Sequence, residues 1–290
     1  MKRSITYFIL LFACLAFVNT SNAQDTEELY KKAKVEMGNS NYEDAVKLLS
    51  QAIDSKKEAH YYFERGTCYY FLKDNEKAVK DFSSAIEVNP NYAEAYNRRG
   101  KINMDMQNND AAASDFNKAI ELKKDYADPH YNKGLLDHMS KNFDSALLDY
   151  TNAITIRPNF AEAYYNRGLV NFELEKFEAA AEDYTRAIEI KPEYGKAYFN
   201  RGNANLRLKK YTEAITDFTK AIDLNTELIL SYSNRGQAYY SNEDYKSAIE
   251  DWNVALKQNK DNDMKTKLMT FIKDAENKMK DVKKTDKDNK

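Results

Sequence analysis

Residues 161–194 read AEAYYNRGLVNFELEKFEAAAEDYTRAIEIKPEY, and residues 195–228 read GKAYFNRGNANLRLKKYTEAITDFTKAIDLNTEL. Laid one above the other, they share Asn-Arg-Gly, an alanine twelve residues after the glycine, then an aromatic and a second alanine. The same spacing runs outward in both directions. Six of the eight glycines, Gly66, Gly100, Gly134, Gly168, Gly202 and Gly236, recur at intervals of 34 residues. Ala78, Ala112, Ala146, Ala180, Ala214 and Ala248 follow them, then Phe82, Phe116, Tyr150, Tyr184, Phe218 and Trp252, then Ala85, Ala119, Ala153, Ala187, Ala221 and Ala255. Pro90, Pro158 and Pro192 fall in one register and end the second helix of their units. A fixed period of this length announces a stacked repeat, because no unit so short buries a core alone.

This pattern resembles the tetratricopeptide repeat (TPR) family. With the glycine as position 8, the units are 59–92, 93–126, 127–160, 161–194, 195–228 and 229–262. A weaker first unit, 26–58, keeps the register through Ala33, Ala45, Leu49 and Ala52, as a capping repeat does. The resemblance implies an all-α fold, a right-handed α-solenoid of stacked helix-turn-helix units, with the first helix of each lining a concave face. After residue 262, Met264, Leu268, Phe271, Ile272, Ala275 and Met279 trace one face of a capping helix over 263–280, and 281–290 read as a solvated, disordered tail.

Composition agrees. The 290 residues hold four Pro and two Cys, too few for a turn-rich β fold or a disulfide framework. Residues 1–23 read as a signal peptide: Lys2 and Arg3, an apolar run from Ile5 to Val18, then Ser21-Asn22-Ala23 before cleavage. The run is too short to span a membrane, so the chain is expected to be exported to the periplasm or cell envelope. Cys14 stands in a lipoprotein-like context, leaving a lipid anchor as the alternative to a soluble form. Beyond residue 23, 42 basic residues face 46 acidic ones, a net of −4, and no basic excess points to nucleic acid.

Two further rows repeat. Position 7 is Arg65, Arg99, Lys133, Arg167, Arg201 and Arg235; position 23 is Asp81, Asp115, Asp149, Asp183, Asp217 and Asp251. With Asn103, Asp137, Asn171 and Asn205 at position 11, they read as a structural Arg–Asp–Asn ladder between packed helices, the alternative being cationic rungs for an anionic ligand. Position 6 is Asn132, Asn166, Asn200 and Asn234. An amide offers a donor and an acceptor, as a peptide backbone requires. The row is similar to the asparagine ladder of the O-linked N-acetylglucosamine transferase family, which holds peptide main chain; the alternative is an inter-helix hydrogen bond with no ligand. Tyr131, Tyr165 and Phe199 at position 5, Leu135 and Leu169 at position 9, and Phe172 at position 12 complete a candidate peptide-binding groove. The carboxylate clamp of chaperone-binding relatives is not matched, since Phe199 stands where its first lysine belongs.

His60, His130 and His138 are too scattered for a metal site, and there is neither a phosphate loop nor a nucleophile motif. No enzyme and no cofactor is expected. The expected function is a protein-binding scaffold; the alternatives are an assembly subunit acting through its convex face or end helix, and a glycan binder.

Overall fold

A computed structural model describes residues 25–288, with side chains through residue 281. The expected leader, 1–23, with Cys14, lies outside the described residues. Those described form helices and turns, with no strand among them. The chain divides into two compact units between Leu136 and Asp137.

The first unit holds α1 (25–38), α2 (Tyr42–Ser55), α3 (Ala59–Phe71), α4 (Asn75–Val88), α5 (Ala93–Asp105) and α6 (Asn109–Leu122). The boundary falls inside α7 (Ala127–Met139). The second unit continues with α8 (Phe143–Ile156), α9 (Ala161–Glu173), α10 (Phe177–Ile190), α11 (Gly195–Arg207), α12 (Tyr211–Asp223), α13 (Leu228–Ser241), α14 (Tyr245–Gln258) and α15 (Asn262–Asp288). Odd-numbered helices up to α13 are the first, or A, helices of their repeats, and even-numbered ones are the B helices. Within each unit a helix packs on its neighbours in sequence, α9 on α10 and α10 on α11, giving stacked helical hairpins.

The recurring small residues are explained by close approach. A Cβ built on Gly100 would lie 2.8 Å from the Phe116 ring, on Gly168 2.7 Å from Tyr184, and on Gly236 2.6 Å from Trp252. The position-24 ring therefore lies flat against the A-helix backbone of its own repeat, a packing that admits no side chain. The alanines at positions 20 and 27 are fully buried in all six units. Gly195, outside the glycine register, faces Thr226, which leaves no room for a Cβ. On the A helices, position 10 (Cys68, Ile102, Leu136, Val170, Ala204, Ala238) joins position 8 in the core.

The turn from A to B is equally regular. Lys73, Gln107, Lys141, Glu175, Lys209 and Glu243 each take a left-handed conformation, with φ between 58° and 65°. The amide after each of them donates back to the carbonyl at position 11, as Lys210 N does to Asn205 at 2.8 Å. This is the Schellman closure of a helix, usually made with glycine.

The C-terminus differs from expectation. Leu268 and Ala275 do cap the core beside Trp252, as the apolar pattern implies. The helix nevertheless continues to Asp288, through most of the segment 281–290 that reads as a disordered tail. Residues 263–290 contain neither Gly nor Pro, and Lys, Glu and Met carry high helix propensity, so nothing in the sequence stops the helix.

Candidate functional site

The Arg–Asp ladder is more extensive than its two rows suggest. Arg65, Arg99, Arg167, Arg201 and Arg235 each fork through Nε and Nη2 onto the aspartate 16 residues later, at 2.6–3.2 Å. The remaining Nη1 donates, at 3.0 Å, to a hydroxyl on the preceding repeat's B helix: Ser50, Ser83, Thr151, Thr185 or Thr219. That hydroxyl spends its own proton on the carbonyl four residues back, as Thr185 does on Ala181 at 2.8 Å. Its lone pairs are left for the arginine. The guanidinium also lies over the position-4 ring of its own helix, 5.4–5.8 Å from Tyr62, Tyr96, Tyr164, Tyr198 and Tyr232. Each arginine thus ties three helices together, two of its own repeat and one of the repeat before.

Asn103, Asn171 and Asn205 donate to the same carboxylates at 3.4, 2.9 and 3.0 Å. Burial pushes Asp183 and Asp217 up from the ordinary carboxylate value, against the opposing pull of Arg167 and Arg201. The hydrogen bond to Asp81 holds Arg65 above its ordinary value, and that to Asp251 does the same for Arg235. The ladder is structural, as expected. The row of hydroxyls is an addition to it, although it recurs in the sequence with the same period.

The position-6 asparagines are bonded along the seam between successive A helices. Asn132 is buried and donates to Asn97 at 2.9 Å, and Asn97 donates to the Tyr126 hydroxyl at 3.1 Å. Asn200 donates to the Tyr165 hydroxyl at 2.9 Å, and Asn234 to Asn203 at 2.8 Å. Asn166 donates to the Glu162 carbonyl of its own helix at 2.8 Å. Glu64 also bonds across the seam, accepting from Lys34 of the A helix before it at 2.6 Å. Asn132, Asn200 and Asn234 each make an inter-helix hydrogen bond. Asn97 and Asn203 belong to the same seam.

The apolar candidates are half-buried: Tyr131, Leu135, Tyr165, Leu169, Phe172 and Phe199. Tyr165 packs between Tyr184 and Tyr194, with centroids 5.8 and 4.9 Å away; Phe199 meets Phe218 at 5.8 Å and Phe172 meets Phe177 at 5.2 Å. They are the outer edge of the core, with part of each side chain exposed on the A-helix side. Burial pushes the Tyr165 phenol up, and the Asn200 hydrogen bond moderates it.

On the opposite side, an opening of about 700 Å³ lies between α10 and α12. Arg201, Asn205, Asp217 and Thr185 of the ladder line it, with Glu182 and Glu213 beside them. Among the described residues no group of His, Cys, Asp or Glu could hold a metal ion, and no helix is long and apolar enough to cross a membrane. Cys68 is buried, and its thiol is pushed up to about 12 by burial, which leaves it unreactive.

Comparison with known proteins follows the same register. Tetratricopeptide repeat models match residues 59–92, 93–126, 161–194, 195–227 and 229–262, and a TPR repeat model matches 138–175. The small glutamine-rich tetratricopeptide repeat-containing protein 2 of Saccharomyces cerevisiae is 36% identical over 73 residues, 25% of this chain and 21% of its own length. This chain thus spans about a fifth of that relative. The C-terminal part of a TPR repeat-containing protein from Cytophaga hutchinsonii is 21% identical, with 84% of this chain and 99% of that one covered and a TM-score of 0.67. YrrB, described as a TPR protein with an unusual peptide-binding site, is 21% identical over 63% of this chain and 95% of its own, with a TM-score of 0.54. These two likenesses concern the fold.

Proposed function

The chain belongs to the tetratricopeptide repeat family, whose members mediate protein–protein interaction, and from that premise we propose that it is an exported, non-catalytic scaffold that holds an extended segment of a partner protein against its A-helix face. One observation carries this reading. Asn200 and Asn234 are anchored through their N–H groups to the preceding A helix, while their Oδ1 atoms accept from no donor among the described residues. Both side chains are half-buried. An amide fixed by its donor end presents a preorganised acceptor to a backbone N–H, and Tyr165, Leu169, Phe172 and Phe199 beside them supply apolar contact for alternate side chains. The peptide-binding site for which YrrB is described is consistent with such use of the fold.

Export rests on the leader, Lys2 to Ala23. Mass analysis of the protein from its native cell tests it: a chain beginning at Gln24 in the envelope fraction supports export, a lipid-modified Cys14 makes it an anchored form, and an uncleaved cytosolic chain removes it. For the groove, an envelope extract is passed over mature wild type and over Asn200→Ala and Asn234→Ala variants of matched helicity and melting. Loss of one specific protein from both variants supports the reading. Unchanged retention shifts attention to the opening between α10 and α12, which favours the second reading, an assembly contact on the B-helix face.

A further inference from the structure

Two repeats show a stack of three rings, in which the position-5 ring of the A helix meets both the position-24 ring of the B helix and the position-34 ring ahead of the next repeat. Phe63 stands 5.4 Å from Phe82 and 4.9 Å from Tyr92, and Tyr165 stands 5.8 Å from Tyr184 and 4.9 Å from Tyr194. Across the six full repeats position 5 is Phe63, Asn97, Tyr131, Tyr165, Phe199 and Ser233, and position 34 is Tyr92, Tyr126, Phe160, Tyr194, Leu228 and Asn262. Where Asn97 replaces the ring, it is buried and bonded to Tyr126 and Asn132, so its place is filled.

The 229–262 repeat lacks both outer members of the stack: Ser233 and Asn262 hold their positions, and only Trp252 is kept. Trp252 finds its ring neighbours elsewhere, in Tyr240 at 5.8 Å and in Phe271 of α15 at 5.4 Å, and Phe271 stays 40% exposed. An opening of about 510 Å³ lies beside Ser233, between α13 and α15, with Met264, Leu268 and Phe271 as its apolar wall. A dry cavity of about 150 Å³ is enough to hold a benzene ring. The exposed Asp261 and Asp263 stand at the mouth against Lys267, and none of the three forms an ion pair among the described residues. In three other repeats a cation at position 31 covers the position-34 ring: Lys123 over Tyr126 at 5.1 Å, Arg157 over Phe160 at 4.6 Å and Lys191 over Tyr194 at 4.8 Å. In the 229–262 repeat that position is Asn259.

Resting on the scaffold reading above, we propose that this opening takes one aromatic side chain of the partner segment, with a lysine or arginine beside it in that segment, and so restores the ring stack that Ser233 and Asn262 leave incomplete. Ser233 directly precedes Asn234, so a segment that reaches the Asn234 acceptor adjoins the opening. The incoming ring packs on Phe271, ring against ring, and on the Met264 thioether, contacts that favour an aromatic over an aliphatic side chain of similar size. The neighbouring cation finds Asp261 or Asp263 and repeats the arrangement of Lys191 on Tyr194. Because both acids are exposed, that second contact is screened by salt, whereas the ring contact is not.

The test uses the mature chain, residues 24–290, whose one tryptophan is Trp252, and tryptophan-free peptides in an otherwise Gly-Ser sequence: phenylalanine between two lysines, leucine between two lysines, and phenylalanine between two glutamates. Trp252 is 1% exposed and in ring contact with Phe271, so its emission reports on the site. The lysine-flanked phenylalanine peptide is expected to shift that emission and to bind about tenfold tighter than its leucine counterpart; at low salt it should also bind tighter than the glutamate-flanked one. Ser233→Phe supplies the missing position-5 ring and Asn262→Tyr, at an exposed position, the missing position-34 ring; each should abolish the preference for phenylalanine, and Asn200→Ala should leave it intact. Equal binding of the phenylalanine and leucine peptides overturns the proposal, as does a preference that survives in both ring-restoring variants, or tighter binding of the glutamate-flanked peptide. Self-association of the mature chain that Asn262→Tyr abolishes also overturns it, since the occupant is then a second copy. Binding that is lost in Asn200→Ala, with no preference for phenylalanine in wild type, removes this inference while leaving the groove reading standing; a preference kept in Asn200→Ala and lost in Asn262→Tyr supports it even where the asparagines prove to bind nothing.

Discussion

Asp217→Ala is the sharpest test of what holds successive repeats together. The carboxylate is 4% exposed and accepts from Arg201 Nε at 3.0 Å, Arg201 Nη2 at 2.7 Å and Asn205 at 3.0 Å. Truncation leaves Asn205 without its acceptor and Arg201 with only the Thr185 hydroxyl and the Tyr198 ring. Breaking a fully buried pair costs about 3–5 kcal/mol. Arg201 is 22% exposed, so water reaches part of the guanidinium and the expected cost falls to roughly 2–4 kcal/mol. Arg201→Met combined with Asp217→Leu removes both charges and should recover more than half of that loss. Repeat arrays unfold by coupled neighbours rather than as one two-state body, so urea unfolding followed by circular dichroism needs hydrogen exchange on α10, α11 and α12 beside it. Faster exchange should appear in α10 as well as in α11 and α12, since Thr185 belongs to α10. A cost below about 1 kcal/mol, or exchange altered only in α12, would refute the claim that the arginine couples two repeats.

Four further outcomes are expected. Because burial raises Asp217 above its ordinary value, the folded state binds more protons than the unfolded one between the two values. This contribution is present at low pH and lost as pH rises through the raised value, so the stability of wild type relative to Asp217→Asn should grow as pH falls from neutral to about 4. Among the described residues the buried Tyr184 hydroxyl has no hydrogen-bond partner, and Phe stands at its equivalents Phe82, Phe116 and Phe218; Tyr184→Phe should raise stability by about 1 kcal/mol in urea titration. Gly202→Ala would put a Cβ 2.8 Å from the Phe218 ring and should cost about 1–3 kcal/mol by thermal melting. Lys209→Gly relieves a left-handed φ of 59° and should gain on the order of 1 kcal/mol, measured against Lys210→Gly, whose φ of −87° offers no such relief.

The fold is legible because its packing demands small residues at fixed places. Gly100, Gly168 and Gly202 are written into the sequence by the rings that lie on them. Arg65 and Asp81, 16 residues apart and repeated, are legible as a pair because buried charges of opposite sign in one register must meet. Thr151, Thr185 and Thr219 are harder to read because a hydroxyl inside a helix ordinarily bonds its own backbone, as these also do; its second, accepting role depends on where the next repeat's arginine arrives. The destination of Asn132 or Asn200 stays open in the sequence for a related reason. An amide facing a seam can bond a neighbour or a ligand, and only placement of Asn97 and Tyr165 shows the neighbour within reach. The length of α15 is hidden because a polar stretch without helix breakers has no pattern to distinguish helix from coil.

The hydroxyl row also changes what counts as one building block. Position 25 is Ser or Thr wherever an arginine follows in the next repeat, and it is Asn117 ahead of Lys133 and Asn253 in the 229–262 repeat. The two residues vary as a lock and its key, although they sit in different 34-residue periods. The cohesive module therefore begins in one period's B helix and ends in the next period's B helix, offset by half a hairpin from the periods that sequence alignment counts. Duplication or engineering that cuts the chain at the A-helix start severs the hydroxyl–arginine contact, and a cut ahead of the B helix severs the arginine–aspartate pair, so only a B–A–B segment carries a joint over whole.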